Sequence, residues 1–183
     1  MKKKINKKEV IFHIVTTSLL SALIFVVTFF IKIPYANGAG YLNFSDALIL
    51  FGVAFFSPLE GIIGGIVGSC LADLVSGYSA FIPFTILAKG LEGLACWLLL
   101  FLLKKFKIIK NISFIISPFV MVLVYFITYI ILYGFEYACA SSVFDIIQAV
   151  SCGALSIFLL LILKKAHPKF LKNYYYIDDN LSK

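Results

Sequence analysis

Arginine is absent from this chain, and all 16 of its basic residues are lysine. A membrane phosphatase of the lipid-phosphate type sets arginine and histidine around its phosphate, so that chemistry is excluded. Histidine occurs only as His13 and His167, one in the first apolar run and one beyond the last. That leaves no facing serine and histidine for an intramembrane serine protease. No G-x-x-x-x-G-K-[ST] loop is present, so the chain does not hydrolyse ATP by itself. Its four cysteines, Cys70, Cys96, Cys139 and Cys152, have neither C-x-x-C nor histidine-paired spacing. No metal, cofactor or disulfide is expected, and the cysteines within apolar runs read as small packing residues. Charge is scarce as well: 14% of the 183 residues are charged and 62% are hydrophobic, with a mean hydropathy of +1.03. A soluble domain is about a quarter charged, so the chain is expected to be an all-α integral membrane protein.

Long apolar runs carry that expectation. Val10 to Ile31, Ile82 to Leu103, Ile112 to Tyr133 and Ser142 to Leu163 are each about the 20 residues that a helix needs to cross a bilayer core. Tyr41 to Val75 must hold two further elements, because Ser57-Pro58-Leu59-Glu60 interrupts it as a capping box would, with Ser57 as N-cap, Pro58 at the first helical position and Glu60 reaching back. Six spans follow, at about 10–32, 42–56, 58–75, 82–103, 112–133 and 142–164, in one membrane domain covering 1–172. Residues 173–183 read as a cytoplasmic tail. The second span is short for a bilayer, so the second and third either both cross or form a hairpin dipping in from outside. Lysine orients the whole: apart from Lys32 and Lys89, every lysine lies in the first eight residues, the Lys104 to Lys110 connection or the segment from Lys164 onward. Six crossings put those segments on one face, and basic loops stay inside, so both termini are expected in the cytoplasm. The net charge of +7 is then a topology signal and a contact with anionic lipid, not a nucleic-acid surface. The first run is too long for the apolar region of a signal peptide and no A-x-A site follows, so it is read as the first span.

The outer loops implied by this topology, Lys32 to Phe44, Ser76 to Phe81 and Gly134 to Ser141, are rich in glycine, tyrosine and small polar residues. They suit either a lid and binding mouth or an aromatic belt containing Tyr35, Tyr78, Tyr133 and Tyr137. Within the spans, Lys89 and Glu92 lie on nearly one helix face; they are either groups lining a substrate path or a pair that merely neutralises itself. Tyr125, Tyr129 and Tyr133 recur every four residues, as a packing stripe or a stacking wall. Asp145 follows Ser142 at capping-box spacing and Asp46 follows Ser45, so both acids read as helix-end residues. Gln148, one turn deeper, has no such explanation. Gly61, Gly65 and Ser69 form one small-residue row, and Gly64, Gly68 and Ala72 the next. Rows of this kind let backbones approach closely in lipid, so the third helix is expected to be packed on two sides. The first span carries shorter rows, Thr17 with Ser21 and Ser18 with Ala22.

The run from Gly40 to Leu94 resembles the core of the S components of energy-coupling factor transporters, in the branch named after riboflavin uptake that also holds hydroxymethylpyrimidine-type and pyridoxine-type binders. The resemblance rests on Asn43 and Asp46, Ser57-Pro58-x-x-Gly61, Gly68-Ser69-x-x-Ala72-Asp73, Gly77-Tyr78, and Lys89-Gly90-x-Glu92-Gly93. It implies a six-helix subunit that binds a vitamin or vitamin precursor near the outer face of a bacterial plasma membrane. Such a subunit docks on a membrane-embedded coupling subunit with two ATPase subunits, topples, and releases its substrate inside. Carried onto this chain, it makes Tyr41, Asn43, Asp73, Tyr78, Lys89, Glu92, Tyr125, Tyr129 and Gln148 the substrate-binding candidates, with Asp73 either touching the ligand or ordering the lid. Ser18 and Ala22 stand where an Ala-x-x-x-Ala docking row is commoner. The ligand expected is a small pyrimidine-like or pyridine-like ring, or a flavin. A self-sufficient secondary carrier or channel is the alternative class, although no internal repeat of the kind many carriers show is visible.

Overall fold

A computed structural model describes residues 7–35, 40–106 and 109–166 of the protein. Segment 173–183, His167 and positions 36–39 of the first outer loop lie outside the described residues. The chain runs through α1 (Lys7–Phe30), a hairpin of β1 (Lys32–Tyr35) and β2 (Gly40–Asn43), α2 (Ser45–Phe55) and α3 (Pro58–Val75). A 3-10 turn at Ser79–Phe81 leads to α4 (Ile82–Leu102), and α5 (Ser113–Ile116), α6 (Pro118–Tyr133) and α7 (Phe135–Ala166) complete it. Among the described residues, five helical stretches, 7–30, 58–75, 79–102, 109–133 and 135–163, are long and apolar enough to cross a membrane. Bulky apolar side chains such as Leu19, Leu23, Ile86, Leu123 and Phe158 stay exposed on their outer faces, as lipid contact requires.

The second element falls short of a span. With 11 residues and a rise of about 1.5 Å each, α2 is about half the thickness of a bilayer core. What permits this is its position. Ala47, Ile49, Leu50, Val53 and Ala54 are all buried, and α2 packs against α1, α3, α4 and α7, so its ends meet protein and not lipid tails.

Glycine makes that enclosure possible. A Cβ on Gly61 would stand 2.3 Å from the Val53 amide nitrogen, and one on Gly65 2.8 Å from Ile49 Cδ1, so this row faces α2. A Cβ on Gly68 would stand 2.5 Å from the Ser21 carbonyl oxygen, and one on Gly64 3.1 Å from Leu20, so the neighbouring row faces α1. The two-sided packing of the third helix read from sequence is therefore present. Ser57 caps α3 as expected, its Oγ accepting from the Glu60 amide at 3.2 Å. The Glu60 carboxylate, however, does not close the box. It is buried against α1, where it accepts from Thr16 and pairs with His13 Nδ1 at 2.9 Å, because that polar pair offers more than one terminal amide.

Other boundaries differ from the sequence reading. The first outer loop contains the β-hairpin, with Lys32 opposite Asn43 and Ile33 opposite Leu42. The fifth span is divided at Ser117, ahead of Pro118, which has no amide proton to donate to the preceding turn, although Ser117 itself keeps helical dihedrals. The segment Gly134 to Ser141 is not a loop: Gly134, at φ +90°, joins α6 to α7 alone, and α7 starts at Phe135. Positive φ is available to glycine without steric cost, so one residue suffices for the reversal.

Gly61→Ala is expected to destabilise the purified protein by about 1–3 kcal/mol, because the new methyl strikes α2 backbone. Gly90→Ala, whose Cβ would meet only Ile66 Cδ1 at 3.4 Å, is expected to leave stability unchanged or raise it slightly. Thermal unfolding in detergent checks both; equal losses would remove the close α2–α3 approach as the reason for Gly61.

Candidate functional site

The starts of α2 and α4, the ends of α1 and α3, and the connected ends of α6 and α7 meet at one end of the bundle. Their polar side chains converge there. Asp46, on the first turn of α2, is fully buried. Its carboxylate accepts from Lys89 of α4 through Oδ1 and from Gln148 Nε2 of α7 through Oδ2 at 2.6 Å. Glu92, one turn along α4, sits 3.9 Å from Lys89 Nζ. Lys89 is 2% exposed and Glu92 0%, so the ammonium is held between carboxylates, shut off from bulk solvent where a lone charge would be untenable. The Lys89–Glu92 pair read from sequence is thus one part of a larger set. Asp46 needs correcting: it is not merely a helix-end residue, and Ser45 is no cap. The N-cap is Phe44, while the Ser45 hydroxyl turns back to Asn43 Oδ1.

A second network ties the hairpin down. Asp73, at the end of α3, accepts from the Tyr41 hydroxyl at 2.5 Å and from Thr85 Oγ1 of α4 at 2.6 Å. Burial, with the Asp73 carboxylate beside it, pushes the Tyr41 phenol well above its ordinary value, so it stays a proton donor throughout the physiological range. Lys32 Nζ donates to Ser76 Oγ at 3.0 Å. The Asn43 amide donates to Gln148 Oε1 at 2.9 Å, which links the hairpin to α7 and, through Gln148, to Asp46. Asp73 therefore holds the first outer loop, in addition to the loop that follows it, whose Tyr78 amide donates to the Asp73 carbonyl at 2.8 Å.

Between the two networks lies a pocket lined by Tyr41, Asn43, Asp73, Tyr78, Lys89, Tyr125, Tyr129 and Gln148. These are the sequence candidates with the exception of Glu92, which is buried behind the lining and does not reach it. Tyr125 and Tyr129 stack at 6.1 Å between ring centroids, 18° from parallel, and Lys89 Nζ stands 5.7 Å from the Tyr125 ring centre. Tyr133, the third ring of the stripe, is exposed and stacks on Phe81 outside. The stripe is a wall at its inner end and surface packing at its outer one. The internal space is about 40 Å³, room for a few water molecules, so a ring-sized ligand requires the lining to part.

Thr28, Ser69, Phe81, Thr85 and Asp145 also line the pocket, and the sequence reading did not single them out for that role. Asp145 is a further correction. Because α7 begins at Phe135, Asp145 is internal to the helix, and its supposed cap partner Ser142 donates to the Ala138 carbonyl instead, at 2.7 Å. Helical spacing was the available signal: Asp145 is three residues before Gln148 and Thr85 four before Lys89, so each pair shares a face. Ser18 and Ala22 lie far from this site, exposed on α1, and line a shallow groove with Ile63, Val67 and Leu71 of α3.

The family profile described as "ECF-type riboflavin transporter, S component" matches residues 8–165. A solved S component of a bacterial ECF transporter superposes with a TM-score of 0.64 at 28% identity, covering 84% of this chain and 96% of that one. A protein of Pyrococcus woesei described only as an uncharacterized protein in a gap 3'region is 38% identical over 127 residues, 69% of this chain and 84% of its own length.

Lys89→Met leaves the buried Asp46 and Glu92 facing each other without a cation, and a loss of about 3–5 kcal/mol is expected. Asp46→Asn is expected to cost less, because Glu92 at 3.9 Å still serves the ammonium. Unfolding of the two variants by heat or denaturant ranks them; a milder Lys89 variant would contradict the pairing.

Proposed function

We infer the role of the protein from one fact, that the chain belongs to the ECF-type riboflavin transporter S component family. It is a substrate-binding subunit of an ECF transporter and not an enzyme. Subunits of this kind bind a vitamin and work with an energising module. For this chain we propose that the substrate is a small aromatic heterocycle of the flavin, pyridoxine or hydroxymethylpyrimidine kind. The observation that carries this is the joint lining of the pocket by stacked tyrosines and by an amide and charge cluster. Flat faces take the ring, and Gln148, Asn43, Lys89 and Asp145 answer its heteroatoms. A pocket built on helices from both halves of the chain and covered by a hairpin suits capture and enclosure.

Topology completes the proposal. The pocket lies at the end of the bundle where α4 begins, and Lys104 and Lys105 follow the end of α4. With basic segments inside, the pocket opens toward the outer face of a bacterial plasma membrane. The chain then crosses six times, with α2 as a short internal crossing and both termini in the cytoplasm. Energy comes from a membrane-embedded coupling subunit with two ATPase subunits. Docking uses the exposed Ser18 and Ala22, whose small side chains leave a groove against α3 into which a partner helix fits closely. The docked subunit topples and releases its substrate inside.

Purification from rich medium, denaturation and mass spectrometry of the released small molecule are expected to yield one such heterocycle. Ala22→Trp is expected to abolish uptake and association with the energising module while leaving substrate affinity within about twofold. Uptake by the isolated chain on a proton gradient alone would replace this reading with that of a secondary carrier.

A further inference from the structure

Several hydroxyls on these helices satisfy themselves. Thr17, Ser21, Thr128 and Ser142 each donate to the carbonyl four residues back, the usual arrangement for such side chains in a helix. Thr28 of α1 and Ser69 of α3 do not. Thr28 is 1% exposed and Ser69 2%, and neither hydroxyl has a hydrogen-bond partner among the described residues. Other buried hydroxyls share that condition, among them Ser113, Ser117 and Ser156, but those lie away from the pocket, whereas Thr28 and Ser69 line it. Among the described residues these are the buried hydroxyls without a protein partner that line the cavity, so each has a hydrogen bond to offer to whatever occupies it and none to give up to a neighbouring side chain.

We propose that Thr28 and Ser69 form an uncharged subsite of the pocket that receives an alcohol-bearing substituent of the ligand. The inference rests on the vitamin-binding reading above and adds a chemical requirement to it. A side-chain hydroxyl both donates and accepts, as does an alcohol, so the two groups complement each other in either direction. A carboxylate or phosphate would call for an unbalanced cation; neither Thr28 nor Ser69 supplies one, and the charge of Lys89 is balanced by Asp46, which leaves its ammonium able to donate to a neutral heteroatom but not to neutralise an anion. Asp73 does not compete for the subsite, because its oxygens accept from Tyr41 and Thr85. The ring portion and the alcohol portion of the ligand are therefore read by different helices: Tyr125, Tyr129 and Gln148 belong to α6 and α7, and the subsite to α1 and α3.

The test compares hydroxylated probes with analogues that lack the alcohol: riboflavin against lumiflavin, pyridoxine against deoxypyridoxine, and hydroxymethylpyrimidine against its methyl counterpart. Dissociation constants are measured calorimetrically for the purified full chain and for Thr28→Val and Ser69→Ala. In the pair that binds the unaltered protein most tightly, each variant is expected to weaken the hydroxylated probe about three- to tenfold, the loss of one hydrogen bond. The analogue is expected to stay within about twofold. Removing an unpartnered hydroxyl is also expected to leave the melting temperature of the ligand-free variants unchanged or raised. Equal losses for both probes, or no loss for either, would overturn the subsite while leaving the vitamin-binding reading intact. A lowered melting temperature would assign the hydroxyls to packing and overturn it too. Failure of every probe to bind the unaltered protein would overturn both.

Discussion

A lysine ammonium buried to 2% exposure is the constraint around which the rest of the bundle is arranged. Such a charge survives away from water only with a carboxylate against it and the remaining hydrogen-bonding capacity satisfied. Here the carboxylate in hydrogen-bond contact comes from α2, 43 residues earlier, with Glu92 of α4 standing farther off, and that contact holds α2 in the middle of the bundle. Gln148 of α7 then occupies the second Asp46 oxygen and, with its own carbonyl, the Asn43 amide. One ion pair thus fixes the relative positions of α2, α4, α7 and the base of the hairpin.

Close packing is what allows that reach. The paired glycine rows of α3 accept α2 on one side and α1 on the other, at separations that a single added methyl would forbid. Enclosure in turn relieves α2 of the length that lipid would demand, so its first turn can sit at depth with a polar pocket above it. Packing that excludes lipid and a polar site that excludes bulk water are two results of the same arrangement.

Local patterns made much of this legible in the sequence. The bounds of α3 follow from Ser57, Pro58 and the turn residues after Val75, and its two packed faces follow from glycine spacing. Lys89, Asp73 and Gln148 declared themselves as polar groups in apolar runs. Asp46 and Asp145 were misread for a shared reason. Each follows a serine near an expected helix start, so local capping chemistry accounted for them and hid their tertiary partners. The segment after Gly134 was read as a loop because its tyrosine, alanine and serine resemble a binding mouth, although none of them opposes a helix once a single glycine has made the turn. Glu60 was assigned to its own N-terminus, and only the fold brings His13 and Thr16 within its reach.

The one-residue join at Gly134 also sets where the molecule can breathe. Two helices tethered by a single residue cannot splay at that end, so α6 and α7 behave there as one rigid jaw carrying the stacked tyrosines. The hairpin side is fastened by side-chain hydrogen bonds from Tyr41 to Asp73 and from Lys32 to Ser76, and its base is tied to the same jaw by the Asn43 backbone amide on Gln148. Parting of the pocket lining is therefore expected to break the Tyr41 and Lys32 hydrogen bonds while the join at Gly134 stays closed.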